Sequence, residues 1–255
     1  MSSGQDVASA QPASQPEKSI AKPGGSRELL GLALPLVVSQ GFMTAQVFLD
    51  TILLSWHNPL EMAASFPAVM WFWLGFGFMQ VTAGYVSTFV AQYTGAGRPG
   101  RVGPATWQGI HFALVAGTAF MLMAPAAPFL ISLGGHSPAI QPLEVIYLQC
   151  LSFAALPMLI LAAVNGFFSG RGQTWTVFGI EAFGTGVNAA LALVLIFGRL
   201  GFPEMGIAGA GWATVVGSWA SALFGLALFV RKKYRVEFNT LAGWRPEGDL
   251  FKRLM

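Results

Sequence analysis

The chain has 255 residues, of which 54% are hydrophobic and only 10% charged, and a mean hydropathy of +0.59. Soluble domains carry roughly 25% charged residues, so this composition excludes an ordinary water-soluble enzyme. The net charge of +3 is small, and the single Cys150 excludes an intramolecular disulfide framework. His57, His111 and His136 fall on a loop, a span and a loop, so no metal site is expected.

In chain order, residues 1–28 are rich in Ser, Gln, Pro and Gly and lack the apolar core of a signal peptide. They are read as a disordered cytoplasmic tail. Six apolar stretches follow, at 29–55, 63–90, 106–132, 143–168, 174–198 and 206–230. At 1.5 Å rise per residue each is long enough to cross about 30 Å of hydrocarbon. The expected fold class is therefore all-α integral membrane, with residues 29–230 forming a six-helix transmembrane bundle. Prolines interrupt the stretches at Pro35, Pro67, Pro125, Pro128 and Pro157, each freeing a carbonyl and permitting a bend. Residues 231–255 are too polar to cross and place Trp244, Phe251 and Leu254 among charges, which reads as a cytoplasmic interfacial linker. The end of that linker, Asp249-Leu-Phe-Lys-Arg-Leu-Met, resembles the charged run-in to the first stretch, Ser26-Arg-Glu-Leu-Leu-Gly-Leu. A second unit is expected to begin there. Since six is even, it would enter the membrane in the same orientation, as in transporters built from parallel repeats.

Orientation follows from the basic residues, because cytoplasmic loops collect Lys and Arg. With six spans, 13 of the 14 fall on one side and Arg199 alone on the other. Both termini are therefore expected in the cytoplasm.

Three carboxylates fall inside the stretches: Asp50, Glu144 and Glu181. Glu144, at the start of the fourth, is read as an interfacial group. Asp50 lies over a turn inside the outer end of the first. An ionised Asp there costs somewhat less than the roughly 2.5–3.5 kcal/mol of a helix centre, so it should face protein or water. Gln46, Met43 and Ser39 share its helical face. Its two readings are a carboxylate bonded to a neighbouring helix and a cation-binding carboxylate that takes up a proton or sodium ion and releases it when water enters. In the fifth stretch, Glu181, Thr185, Asn188 and Ala192 share one face. Asn188 offers a carbonyl oxygen to a hard cation, and Glu181 is either helix-packing glue or a second titratable group. The sixth stretch carries Gly206, Gly209, Ala210, Ala213, Thr214, Gly217, Ser218 and Ser221, a small-residue surface for close helix contact. Thr214 is its one hydroxyl deep enough to serve as a ligand.

Seven short motifs then occur in a familiar order. They are Leu32-Ala-Leu-Pro-Leu, Phe48-Leu-Asp-Thr-Ile, Ala91-Gln-Tyr-Thr-Gly-Ala-Gly-Arg, Phe168-Ser-Gly-Arg-Gly-Gln-Thr, Val187-Asn, Leu195-Ile-Phe-Gly and Gly206-Ile-Ala-Gly-Ala-Gly-Trp-Ala-Thr. Together they resemble the amino-terminal six-helix lobe of the multidrug and toxic compound extrusion (MATE) family, of the bacterial NorM-like type, over about residues 27–235. The resemblance implies one lobe of a twelve-helix antiporter in a bacterial inner membrane, without a cofactor. Such an antiporter exports cationic or amphipathic compounds in exchange for protons or sodium. It also implies cation-coupling roles for Asp50, Asn188 and Thr214, to which the residues themselves add Gln46 and Glu181 as secondary candidates and Pro35 as a hinge. The family's second helix-five acid would fall on Ala192, where this chain has none. That leans the reading toward protons, or toward carboxylates in the missing carboxy-terminal lobe.

Three other readings stand beside it. A lipid-linked saccharide flippase of the same superfamily should hold phosphates with basic residues, yet the six stretches contain no Lys or Arg. An intramembrane hydrolase would pair Ser169 with His111, but nothing in the sequence orients the histidine. A channel would carry current without a coupled substrate. No nucleic-acid partner is expected, because the basic residues sit at helix ends.

Overall fold

The computed structural model describes residues 26–241 and 244. The expected tail up to residue 25, most of the linker beyond 241, and the side chains of Pro35, Ser39 and Met43 lie outside the described residues.

Helix α1 runs from Ser26 to His57 and stops where the sequence requires it. Asn58 is extended (φ −156°, ψ 119°) because the following Pro59 disfavours helical backbone at the residue before it. The Asn58 side chain then caps α2 (Pro59–Gly84), accepting from the Leu60 amide at 2.9 Å, with proline at the first position and Glu61 in the positive first turn. The helix yields at Gly84-Tyr85 and continues as α3 (Val86–Gly95), so the stretch expected as one helix over 63–90 is two. The third stretch also divides, into α4 (Val102–Leu122), a 3₁₀ turn at Ala124–Ala126, and α5 (Ala127–Ser132). Pro125 and Pro128 have no N–H to continue the ladder, and each is accommodated where a new helical segment starts. Pro67 and Pro157, by contrast, lie inside unbroken helices, the latter in α6 (Gln141–Ser169). The remaining elements are α7 (Thr174–Leu195), α8 (Gly206–Phe229) and the short α9 (Lys232–Glu237).

Among the described residues, five stretches are long and apolar enough to cross a bilayer: 59–95, 99–132, 141–169, 174–195 and 206–229. They cover the second to sixth expected spans, and the 32-residue α1 occupies the first. Helix α6 is the hub, packed against α2, α4 and α8, while α7 lies between α8 and α1. Lipid chains are as apolar as leucine, so close packing rather than water exclusion holds such helices together. Small residues permit it: a β-carbon on Gly117 of α4 would lie 2.6 Å from the Leu156 backbone, and one on Gly211 of α8 would lie 2.5 Å from Cys150 Cβ. Bulk fills the wider gaps. Phe72 stacks on Phe76 at 4.6 Å between ring centres, and Phe120 meets Phe72 edge-on at 5.4 Å.

At the basic end of the bundle, α9 is pinned by Arg171, from the loop between α6 and α7. Its guanidinium lies 3.8, 4.3 and 4.6 Å from the ring centres of Phe167, Phe238 and Tyr234. It also donates to the Phe167 carbonyl at 3.1 Å and to Gln173 Oε1 at 3.0 Å, the latter shared with the Tyr234 hydroxyl at 3.0 Å. The Gly103 amide donates to the Phe238 carbonyl and Trp107 Nε1 to the Thr240 carbonyl, which seats the start of the linker on α4.

At the opposite end, His57 bridges three elements, with Nδ1 at 2.8 Å from Glu61 Oε2 and Nε2 at 2.7 Å from Glu204 Oε1. Only the imidazolium can donate to both carboxylates at once. Burial works to lower the His57 pKa, but the bonds from Glu204 and Glu61 outweigh it and hold the ring above its ordinary 6.5. The bridge is therefore fully present below about pH 6.5 and is lost as pH rises through the raised value. The melting temperature of the purified protein is expected to fall over that upward range, and His57→Gln to flatten this part of the profile. An unchanged profile in the variant would remove His57 as the cause. Glu204 is exposed, so added salt should weaken the effect.

Glu144 is not the interfacial group expected from its position. It is fully buried, and His136 from the preceding loop reaches it at 2.9 Å. Helices close over it because α6 is the central element, which position along the helix does not reveal.

Candidate functional site

Helices α1, α2, α6, α7 and α8 enclose a cavity of about 170 Å³. Its polar lining comprises Gln46 and Asp50 from α1, Gln80 from α2, Tyr147 and Asn165 from α6, Glu181 and Thr185 from α7, and Thr214, Ser218 and Ser221 from α8. Its apolar walls include Phe72, Trp73 and Met158, and among the described residues no Lys or Arg lines it. The surroundings of the two carboxylates are thus acceptor-rich and carry no counter-charge.

Asp50 is 6% exposed, and its Oδ1 has no hydrogen-bond partner. Thr214 spends its proton on the Ala210 carbonyl at 3.1 Å and accepts from Asn188 Nδ2 at 3.3 Å. That leaves Asn188 Oδ1 buried without a donor. Asn188 reaches Thr214 because α7 and α8 touch at Gly217, where a β-carbon would lie 2.8 Å from Asn188 Cβ. Unpartnered carboxylate and amide oxygens are the donor set a proton or a hard cation satisfies. The oxygens present therefore fit the coupling ion implied by the sequence.

The structure brings Gln46, Asp50, Glu181 and Thr214 to one cavity and joins Asn188 to it through Thr214. Ala192 is fully buried one turn beyond Asn188 and contributes no oxygen. Glu181 accepts a 2.6 Å hydrogen bond from Asn165 Nδ2. Ser169 ends α6, whereas His111 on α4 lies tilted against Trp107 at 5.9 Å between ring centres, and its Nδ1 is buried without a partner among the described residues. The nucleophile–base pair of the hydrolase reading is not formed. The sequence does not single out Asn165, Gln80 and Tyr147, because they meet the cavity's carboxylates, on α1 and α7, only across helices. Amides inside apolar runs would have pointed to the first two.

The described helices thus surround a polar cavity that holds two carboxylates and, among the described residues, no Lys or Arg. The MatE family model matches residues 35–194, and the chain belongs to this family of multidrug and toxic compound extrusion proteins. The probable multidrug resistance protein NorM of Shewanella oneidensis is 26% identical over 233 residues, covering 90% of this chain and 50% of that protein. Its namesake from Bradyrhizobium diazoefficiens is 30% identical over 229 residues, covering 89% and 49%. A MOP superfamily transporter from Pyrococcus furiosus has the same fold, with a TM-score of 0.78 at 22% identity over 89% of this chain and 50% of that one. An outward-facing multidrug resistance MATE transporter gives 0.76 at 23% identity over the same shares. The chain thus spans about half the length of the curated relatives it matches.

Proposed function

We propose that this chain is the amino-terminal lobe of an antiporter that exports cationic or amphipathic compounds across a bacterial inner membrane, driven by protons or sodium. The observation that carries the reading is the cavity holding Asp50 and Glu181 with no Lys or Arg among the described residues that line it. Such a cavity attracts cations and offers a phosphate-bearing lipid no cationic side chain among the described residues, which disfavours the flippase. In this reading six spans cross the membrane, and the basic end and both termini are cytoplasmic. A second six-helix lobe completes the passage, and no cofactor takes part.

Asp50 takes up the coupling ion when the cavity opens outward. Asn188 and Thr214 hold oxygens near it, with Gln46 on the same face of α1. Occupied and free Asp50 differ in charge, so α1 prefers different surroundings in the two states, and Pro35 is the place where it bends. The two lobes rock around the cavity to expose it alternately. The test uses the transporter expressed from its complete gene and placed in proteoliposomes. Export of a fluorescent lipophilic cation should follow an imposed proton or sodium gradient and stop when that gradient is collapsed. Export that ignores both gradients would refute the antiport.

A further inference from the structure

At the basic end of the bundle the fold gathers charges that lie far apart in the chain. Helix α8 ends at Phe229, and Arg231, Lys232, Lys233 and Arg235 follow closely, all exposed. The Gly103 amide donates to the Phe238 carbonyl at 3.0 Å, and a β-carbon on Gly103 would collide with that carbonyl, so the end of α9 lies directly on the start of α4. This contact brings Arg98 and Arg101, both exposed, beside α9. The two segments, 98–102 and 231–240, hold six basic residues against one carboxylate, Glu237.

The orientation of α9 is fixed by its inner face. Tyr234 and Phe238, one turn apart, pack on Phe167, and the Arg171 guanidinium lies 4.6 and 4.3 Å from their ring centres. Lys232, Lys233 and Val236 are left exposed on the other side, Val236 by 81%. Trp244, further along the linker, is 60% exposed. Lysines around an exposed apolar side chain, with a tryptophan nearby, are the pattern of a segment that lies in a headgroup layer. Basic clusters directly after a membrane helix favour anionic headgroups, each Lys or Arg near the surface strengthening association about fivefold.

We propose that α9, held by Arg171 and flanked by Arg98 and Arg101, is a docking surface for anionic phospholipid headgroups, such as phosphatidylglycerol, in the leaflet at the basic end. Lys232, Lys233 and Arg235 meet the phosphates, and Val236 enters the layer between them. A zwitterionic lipid offers the same phosphate but brings its own ammonium, which the patch repels. The surface stands apart from the cavity, so it holds whether or not the cavity carries out antiport.

The experiment places benzoylphenylalanine at Val236 of the complete transporter, in nanodiscs of equal parts phosphatidylglycerol and phosphatidylcholine, and identifies the photocrosslinked lipid by mass spectrometry. Phosphatidylglycerol should be captured at least about fivefold over phosphatidylcholine, and the excess should fall as salt is raised. The triple variant Lys232→Gln, Lys233→Gln, Arg235→Gln should level the two lipids, while Arg199→Gln, at the opposite end, should leave the excess unchanged. Arg171→Gln should lower the excess although it removes none of the exposed charges of α9. Equal capture by the parent protein, an excess that survives the triple variant, or crosslinks to protein instead of lipid would each overturn the proposal. Loss of the excess on adding glycerol 3-phosphate at constant ionic strength would also overturn it, assigning the patch to a soluble phosphate. The three glutamines stand at exposed positions, so the test does not depend on the folding of Arg171→Gln.

Discussion

Asp50→Asn is expected to abolish gradient-driven export while leaving the bundle intact. The substitution preserves volume and one acceptor oxygen but removes the one carboxylate that the described residues of α1 place in the cavity. Asp50 is buried, and among the described residues its Oδ1 has no donor and no basic side chain lines the cavity to neutralise it. An ionised Asp costs roughly 2.5–3.5 kcal/mol at the centre of a membrane helix on insertion scales and somewhat less toward the end, where Asp50 lies, so the neutral amide should melt at or above the wild-type temperature. Loss of transport without loss of stability separates a coupling role from a structural one. The measurement is export from proteoliposomes under an imposed proton or sodium gradient, beside a melting curve of the same preparation. Intact ion-dependent export in the variant would end the assignment of Asp50.

The second large effect is on packing. Gly184 faces α8, and a β-carbon there would lie 1.7 Å from Ser221 Oγ and 3.0 Å from the Gly217 carbonyl. Rotation of Ser221 could relieve the first clash at the expense of its bond to Ile180, but the second is against backbone. Gly184→Leu should therefore force α7 and α8 apart and destabilise the protein by about 1–3 kcal/mol or more. Asn188 and Glu181 stand on either side of Gly184 on α7, so the same displacement should break the Asn188–Thr214 bond and reduce transport. Gly186, two residues away, is exposed with nothing within 4 Å of an added β-carbon. Gly186→Ala should be neutral, or stabilising by up to about 1 kcal/mol, because alanine favours the helix. Melting temperatures of the two variants should thus move in opposite directions or differ sharply. Similar values would show that α7 and α8 do not depend on this close approach.

The lobe's helices were legible in the sequence because their existence rests on composition and length. Five apolar stretches appear as membrane-length helical segments, and α1 spans the first expected one. Their interruptions were less legible. Pro67 and Pro157 lie within continuous helices, while Pro125 and Pro128 mark a real break, since the outcome depends on whether neighbours satisfy the freed carbonyl. For the site, the shared face of Glu181, Thr185 and Asn188 followed from helical periodicity, and so did that of Gln46 with Asp50. Their convergence did not. The bond between Asn188 and Thr214 crosses 26 residues, and the one between Glu181 and Asn165 crosses 16.

By itself the sequence determined that this is a helical membrane protein and which polar groups the bilayer would penalise. Those are properties of single helices, governed by rise per residue, side-chain period and the cost of charge in hydrocarbon. Only the tertiary structure decided that Glu144 is buried beneath His136, that His57 links Glu61 to Glu204, and that five helices leave a cavity rather than a solid core. These outcomes depend on how closely helices approach. That distance is set by small residues meeting across interfaces such as Gly184 with Ser221 and Gly217 with Asn188, pairs that no single helix contains.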